Sequence, residues 1–254
     1  MRTHTTLVIN PKGGSGKTTV ATNLASYFAS IKVPTTLMDY DPQGSSLNWL
    51  KQRPMDLARI HGANAAPAKP GRMRSFDMRV PDDTRQLVID APAGAAGLVL
   101  QEMLGRTNCI VIPVAPSAID IHATANFIRD LLIAGRIRVN NIRLAVVANR
   151  VKKSVPVYQP LERFLNSLNL PLLTRIADSE AYVTAAESGV GVFEMEFAAS
   201  AIERQQFMPI VEWLETPKLI VESRTPSLLP VHPAISVPGR TGALRVVTRI
   251  LPAA

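Results

Sequence analysis

Cysteine is nearly absent: the 254-residue chain has one, Cys109, set inside the apolar run Cys109-Ile-Val-Ile-Pro-Val114. A single thiol excludes a disulfide framework, and its place in an apolar run reads as a small buried residue. Acidic residues are also in short supply, 20 against 28 Lys and Arg, for a net charge of +8. That balance favours an acidic polymer or surface as partner. No apolar run approaches the ~20 residues of a membrane span, and the glycine-rich stretch at 12–16 begins too early to leave room for a signal peptide. A cytoplasmic protein is therefore expected. At 46% hydrophobic the chain can bury the core of one α/β domain, with too little left for a second domain of ordinary size.

What is present is concentrated in Asn10-Pro-Lys-Gly-Gly-Ser-Gly-Lys-Thr-Thr19. The apolar run Leu7-Val8-Ile9 precedes it, and Val20, Leu24, Tyr27 and Phe28 follow at helical spacing, so the stretch joins a buried strand to an amphipathic helix. Gly13, Gly14 and Gly16 let successive backbone N–H groups converge on phosphate oxygens in front of a helix N-terminus. Lys17 is placed to pair with the β- and γ-phosphates and the Thr18 hydroxyl to coordinate Mg²⁺. One departure from the common G-x-x-x-x-G-K-[ST] pattern is informative. Pro11 stands at the first glycine position and Lys12 follows it.

Lys-Gly-Gly-Ser-Gly-Lys-Thr-Thr (12–19) resembles the deviant Walker A motif K-G-G-x-G-K-[ST]-[ST] of the ParA/MinD ATPases. The resemblance implies a doubly wound, mostly parallel α/β sheet flanked by helices, with ATP and Mg²⁺ as ligands. ATP contacts are implied for Lys12, Gly13, Gly14, Ser15, Gly16, Lys17, Thr18 and Thr19. It further implies that Lys12 crosses the interface of an ATP-bound homodimer to reach the partner's nucleotide. Asp39-Tyr-Asp-Pro-Gln-Gly44, after the strand candidate 34–38, puts two carboxylates at i and i+2 on one face of a strand end. It is similar to the family's D-x-D-P-Q-G signature, which gives Asp41 the attacking water and places Asp39 near the Mg²⁺ shell. Gln86-Leu-Val-Ile-Asp90 has the Walker B form, a buried strand delivering Asp90 to Mg²⁺ through water, and Ala91-Pro-Ala-Gly94 resembles the nucleotide-sensing turn. Asn149-Arg150, at the end of the strand candidate 142–148, resembles the family's N-[KR] pair, whose asparagine reads adenine.

Elsewhere the pattern is coarser. Residues 53–83, with four prolines and Arg72, Arg74 and Arg79, read as loops around one short strand. Ser117 caps a helix with Ile121, Ala125, Ile128 and Leu132 on one face, ending at Gly135. Another helix carries Tyr158, Leu161, Leu165 and Leu168. Pro171–Asp178 holds a late strand, Ser179 or Asp178 caps a short helix ending at Gly189, and residues 197–215 form a last helix bent or interrupted at Pro209. The ATPase domain is expected over 1–215, with a flexible tail over 216–254. That tail has six prolines from Pro217 onward and half of the net charge, in Lys218, Arg224, Arg240, Arg245 and Arg249 against Glu222.

The resemblance leaves three functional classes. In the leading one, a slow ParA-type ATP hydrolase dimerises on ATP and binds nucleoid DNA without sequence preference. It then positions a plasmid, chromosome locus or protein assembly such as a carboxysome through an adaptor that stimulates hydrolysis. Lys152, Lys153, Arg175 and Arg204 are the candidate DNA contacts, as basic residues in the last third. The alternative is a MinD-like membrane-cycling ATPase using the basic, amphipathic segment 243–251. Metabolic relatives fit poorly: one buried cysteine cannot hold an iron–sulfur cluster, and no tyrosine lies beyond Tyr182 to supply a kinase-type C-terminal cluster.

Overall fold

The computed structural model describes residues 3–67, 74–133, 141–152 and 159–216. Seven strands form one sheet: β1 (His4–Val8), β2 (Thr35–Asp39), β3 (Ile60–Asn64), β4 (Gln86–Asp90), β5 (Cys109–Val114), β6 (Arg143–Val151) and β7 (Leu172–Ala177), in the spatial order β3-β2-β4-β1-β5-β6-β7. Every pairing is parallel, as the sequence led us to expect. The helices are α1 (Lys17–Ser30), α2 (Ser45–Lys51), α3 (Arg74–Asp77), α4 (Gly97–Gly105), α5 (Ala118–Ile133), α6 (Gln159–Ser167), α7 (Glu180–Glu187) and α8 (Phe197–Glu215).

Helices cover both faces of the sheet, which is why the strands read as apolar runs rather than alternating ones. Successive residues still point to opposite sides. Leu7, Ile110, Ile112 and Val146 join Met103 and Leu104 of α4, Ile121, Ile128 and Leu131 of α5, and Leu161 and Leu165 of α6. Val8, Val111 and Val147 join Val20, Leu24 and Phe28 of α1 and Phe207, Ile210 and Val211 of α8. From β1 the chain crosses to β2 and β3 on one side, returns through β4 between β2 and β1, and then runs outward through β5, β6 and β7 on the other. The C-terminal end of β1 is thus a topological switch point, where open α/β sheets bind their ligands.

Several boundaries differ from the sequence reading. On α5 the fully buried positions include Thr124 and Leu131 rather than Ala125 and Leu132, a small rotation caused by what Thr124 touches below. Strand β6 runs to Val151 because β7 pairs with it as far as Val151↔Ala177. Helix α8 has the bounds expected, 197–215, and is not interrupted at Pro209. Its apolar stripe, packed on the sheet, holds the turn that the ring cannot hydrogen-bond. The last carbonyls of α8 are taken up by Arg143 at the start of β6, which donates to Trp213 O (2.8 Å), Leu214 O (3.1 Å) and Thr216 O (2.8 Å) and lies over the Trp213 ring. Cys109 is buried, as expected. Tyr158, Gly135 and the proline-rich tail from Pro217 lie outside the described residues.

Candidate nucleotide site

The loop after β1 is anchored before it reaches its glycines. Asn10, buried at the strand's end, donates through Nδ2 to Pro113 O (2.8 Å) and Thr124 Oγ1 (3.0 Å), and its Oδ1 accepts from Lys12 N (2.9 Å). Gly14 (φ +73°) and Gly16 (φ +87°) then take left-handed conformations that wrap the chain into α1. Gly16 is required on space as well, since a Cβ there would lie 1.9 Å from Asn149 Nδ2.

Lys17 opens α1 with only 8% of its surface exposed. Its ammonium donates to Lys12 O (2.9 Å). Burial lowers its pKa from the ordinary lysine value, and the nearby Asp90 and Asp41 carboxylates oppose that shift. A buried cation held by one carbonyl is suited to an anionic ligand. The Thr18 hydroxyl donates to Asp90 Oδ2 (2.8 Å), while the other Asp90 oxygen, Oδ1, is buried with no hydrogen-bond partner. Burial first, and then the charge of Asp39, push the Asp90 pKa up to about 7. A hard divalent cation prefers carboxylate and hydroxyl oxygens, so this pair fits Mg²⁺ held by Thr18 with Asp90 behind it.

Asp39 departs from the picture of two carboxylates facing the crevice. Its Oδ1 accepts from Asp41 N (2.9 Å), and its Oδ2 from Ser46 N (3.1 Å) and Leu47 N (3.3 Å). The carboxylate therefore caps α2 and shapes the loop that carries Asp41. Burial raises its pKa and those same bonds partly restore it. Asp41 itself lines the cleft with Oδ1 accepting from Gln43 N (2.9 Å). In the turn after β4, Gly94 N donates to Pro11 O (3.0 Å), joining the expected sensing turn directly to the phosphate loop.

The cleft above these groups has a volume of about 550 Å³. Gly13, Gly14, Lys17 and Thr18 line its phosphate end; Ala177, Val183 and Ala186 give it an apolar wall beyond. Asn149 lies between the two ends, and its Nδ2 donates to Ser15 O (2.8 Å). The donor half of that amide thus braces the loop, a role that the sequence reading did not give it. Arg150, at φ +55°, pairs with Asp178 (3.2 Å) on the rim. Ser179 rather than Asp178 caps α7, its Oγ accepting from Ala181 N (3.2 Å).

The candidate DNA contacts differ in their surroundings. Lys152 is exposed at the end of β6, and Lys153 lies outside the described residues. Arg175 is engaged by Glu162. Arg204 is a correction: its guanidinium donates to Val192 O (2.9 Å), Ser200 Oγ (3.0 Å) and Met195 O and lies over the Phe197 ring. It holds the loop before α8 instead of facing solvent as a free charge. The role of Asn10 also went unassigned, although a polar residue closing an apolar run is a visible signal.

Residues 6–192 match the family model described as the CobQ/CobB/MinD/ParA nucleotide binding domain. The chain belongs to that family. Among curated members, it is 25% identical over 196 residues to "Maintenance of carboxysome distribution protein A" of Halothiobacillus neapolitanus, covering 75% of this chain and 87% of that one. It is 29% identical over 147 residues to "Chromosome-partitioning ATPase Soj" of Thermus thermophilus, covering 48% and 59%. In fold, this family member superposes on MinD of Pyrococcus horikoshii, solved with Mg-ADP, with a TM-score of 0.62 at 17% identity over 85% of this chain and 97% of the other.

Proposed function

We propose that this family member is a ParA-like ATPase that dimerises on ATP, holds nucleoid DNA without sequence preference and positions a cargo through a partner that stimulates hydrolysis. The observation that carries the nucleotide half is the buried Asp90 oxygen left unpartnered beside Thr18 and Lys17. Thr18, with Asp90 behind it, would hold Mg²⁺, which would supply charge neutralisation for the phosphates. The chain's own residues do the rest: the loop N–H groups and Lys17 hold the phosphates, Asp41 orients the water, and Lys12 reaches across to a second copy. Phosphoryl transfer needs positioning and charge rather than a covalent intermediate, and no nucleophilic side chain is required of the site.

The cytoplasmic, nucleoid-associated reading rests on the sequence relatives, whose names concern carboxysome distribution and chromosome partitioning, and on the net charge of +8. A two-fold dimer doubles the phosphates engaged at once, so affinity for DNA rises with ATP and falls steeply with salt as counterions are released. The test is duplex binding by the full chain, and by a chain ending at Glu215, with ATP and with ADP across a salt series. Lys17→Ala should lose nucleotide affinity by about two orders of magnitude or more, because truncating one partner of a buried charge pair costs roughly 3–5 kcal/mol. ATP-independent DNA binding, together with capture on anionic liposomes that disappears with residues 243–251, would replace this reading with the membrane-cycling one.

A further inference from the structure

Helices α5 and α6 lie side by side on one face of the sheet and leave a groove of about 560 Å³ between them. Its floor is apolar, from Ile121 and Ala125 of α5 and Leu161 and Phe164 of α6. Arg129 rises on one bank and Arg163 on the other, both exposed. Among the described residues, no carboxylate lines the groove. Among the described residues Arg129 donates only to Asn126 of its own helix (3.2 Å), and the acidic residue of α6, Glu162, is occupied by Arg175. Among the described residues, therefore, neither arginine has an acidic partner.

An apolar strip between two exposed guanidinium groups has a defined complement. An amphipathic helix lays its i, i+3, i+4, i+7 stripe along such a floor, and carboxylates flanking the stripe meet the arginines in charge-assisted hydrogen bonds. Duplex DNA would use the arginines and leave the apolar floor unfilled. The chain's own tail is the wrong sign, with Lys218, Arg224, Arg240, Arg245 and Arg249 against Glu222, so like charges would oppose self-docking.

The groove also communicates with the phosphate loop. Thr124, next to Ala125 but on the buried side of α5, accepts from Asn10 Nδ2 (3.0 Å), and Asn10 Oδ1 holds the backbone N–H of Lys12 (2.9 Å). Two hydrogen bonds thus separate α5 from the residue expected to reach a second copy.

We propose that this groove is the docking site for an acidic amphipathic helix of a protein partner, and that the Thr124–Asn10 contact carries its occupancy to Lys12. Docking stands on the groove alone; the coupling rests on the ATPase reading above.

The test uses the full chain and a fluorescent model helix of about four turns, with a leucine stripe flanked by glutamates. A second peptide of the same composition in scrambled order serves as its control. The striped peptide should bind and the scrambled one should not. Arg129→Glu with Arg163→Glu should weaken binding by at least about tenfold, and a lysine-flanked peptide should prefer that double variant. Thr124→Val should keep peptide affinity yet lose the effect of peptide on ATP hydrolysis, whereas Thr124→Ser, which retains the hydroxyl, should keep it. Equal binding of striped and scrambled peptides, or indifference to the double charge reversal, overturns the docking site. Loss of ATP-dependent DNA binding in the double variant, with no peptide binding by the wild type, also overturns it and gives the groove to DNA. If Thr124→Val responds to peptide like the wild type, the coupling is wrong. A chain that hydrolyses no ATP but binds peptides in the expected charge pattern sinks the ATPase reading while leaving the docking site standing.

Discussion

Asp90 shows how much a single buried carboxylate can set. Burial and the charge of Asp39 hold its pKa at about 7, against an ordinary 3.8. Between those values the folded chain keeps a proton that the unfolded chain has released. The stabilisation is full below about pH 4 and is lost as pH rises through 7. His4 works in the opposite sense, since burial and then Arg143 lower its pKa from 6.5. The informative quantity is therefore the difference between the wild type and Asp90→Asn. Without nucleotide, the variant should gain stability on the wild type by a few kcal/mol between pH 5 and pH 8, about 1.4 kcal/mol per unit of pKa difference, and lose Mg²⁺-dependent ATP binding. Thermal melts across that range decide it; parallel pH curves for the two proteins would show that Asp90 is not the titrating group. That Lys17, Thr18 and Asp90 lie together was legible in the sequence, because a strand end and the start of a helix fix their places. Asn10 and Asp39 were not, because their roles depend on partners brought close only by the fold: Thr124 lies 114 positions away, and Ser46 and Leu47 sit in a helix whose start depends on the turn at Gly44.

At the scale of elements, α2 is fixed at both ends. Asp39 caps its beginning. In its last turn Trp49 Nε1 donates to Val190 O (3.3 Å), and just beyond the helix Arg53 reaches Glu194 with both terminal nitrogens, Nη1 at 2.8 Å from Oε2. The Arg53 and Glu194 side chains are only 5% and 3% exposed. Glu194→Ala leaves that guanidinium buried without its counter-charge, and the expected loss is about 3–5 kcal/mol. Gly189→Ala tests the same junction through backbone: the site has φ +65°, and a Cβ would lie 2.5 Å from Arg53 N. Both variants should lower the midpoint of urea unfolding, and a Gly189→Ala protein of unchanged stability would mean that the junction opens freely. Most strands were legible as short apolar runs; β3 was expected only as one short strand within 53–83, because Ile60-His-Gly-Ala-Asn64 at the sheet edge is not an apolar run. The α5 face was not legible, because there a tertiary contact from Thr124 to Asn10 outweighs the local pattern. Helix α8 was legible to its bounds, with a bend or a break at Pro209 left open; packing of Phe207, Ile210 and Val211 on the sheet keeps it one helix.

For the whole molecule, the two lysines of the loop divide binding from assembly. Lys17 is buried and faces its own site, with Asp90 and Asp41 as its nearest charges. Lys12 gives its carbonyl to Lys17 and Ser15 and its N–H to Asn10, and among the described residues its half-buried ammonium makes no hydrogen bond or ion pair. Lys12→Ala should then bind ATP within a few-fold of the wild type but fail to dimerise, because the phosphate cradle is unchanged and only the contact to the second copy is lost. Asp41→Ala should do the reverse. It removes the carboxylate proposed to orient water while Asp39 still caps α2, so ATP persists and the dimer accumulates. Light scattering of both variants with ATP and Mg²⁺, beside single-turnover hydrolysis, separates the two effects. A monomeric Asp41→Ala together with a dimeric Lys12→Ala would exchange the roles, placing the control of assembly in the loop after β2 instead of the loop after β1.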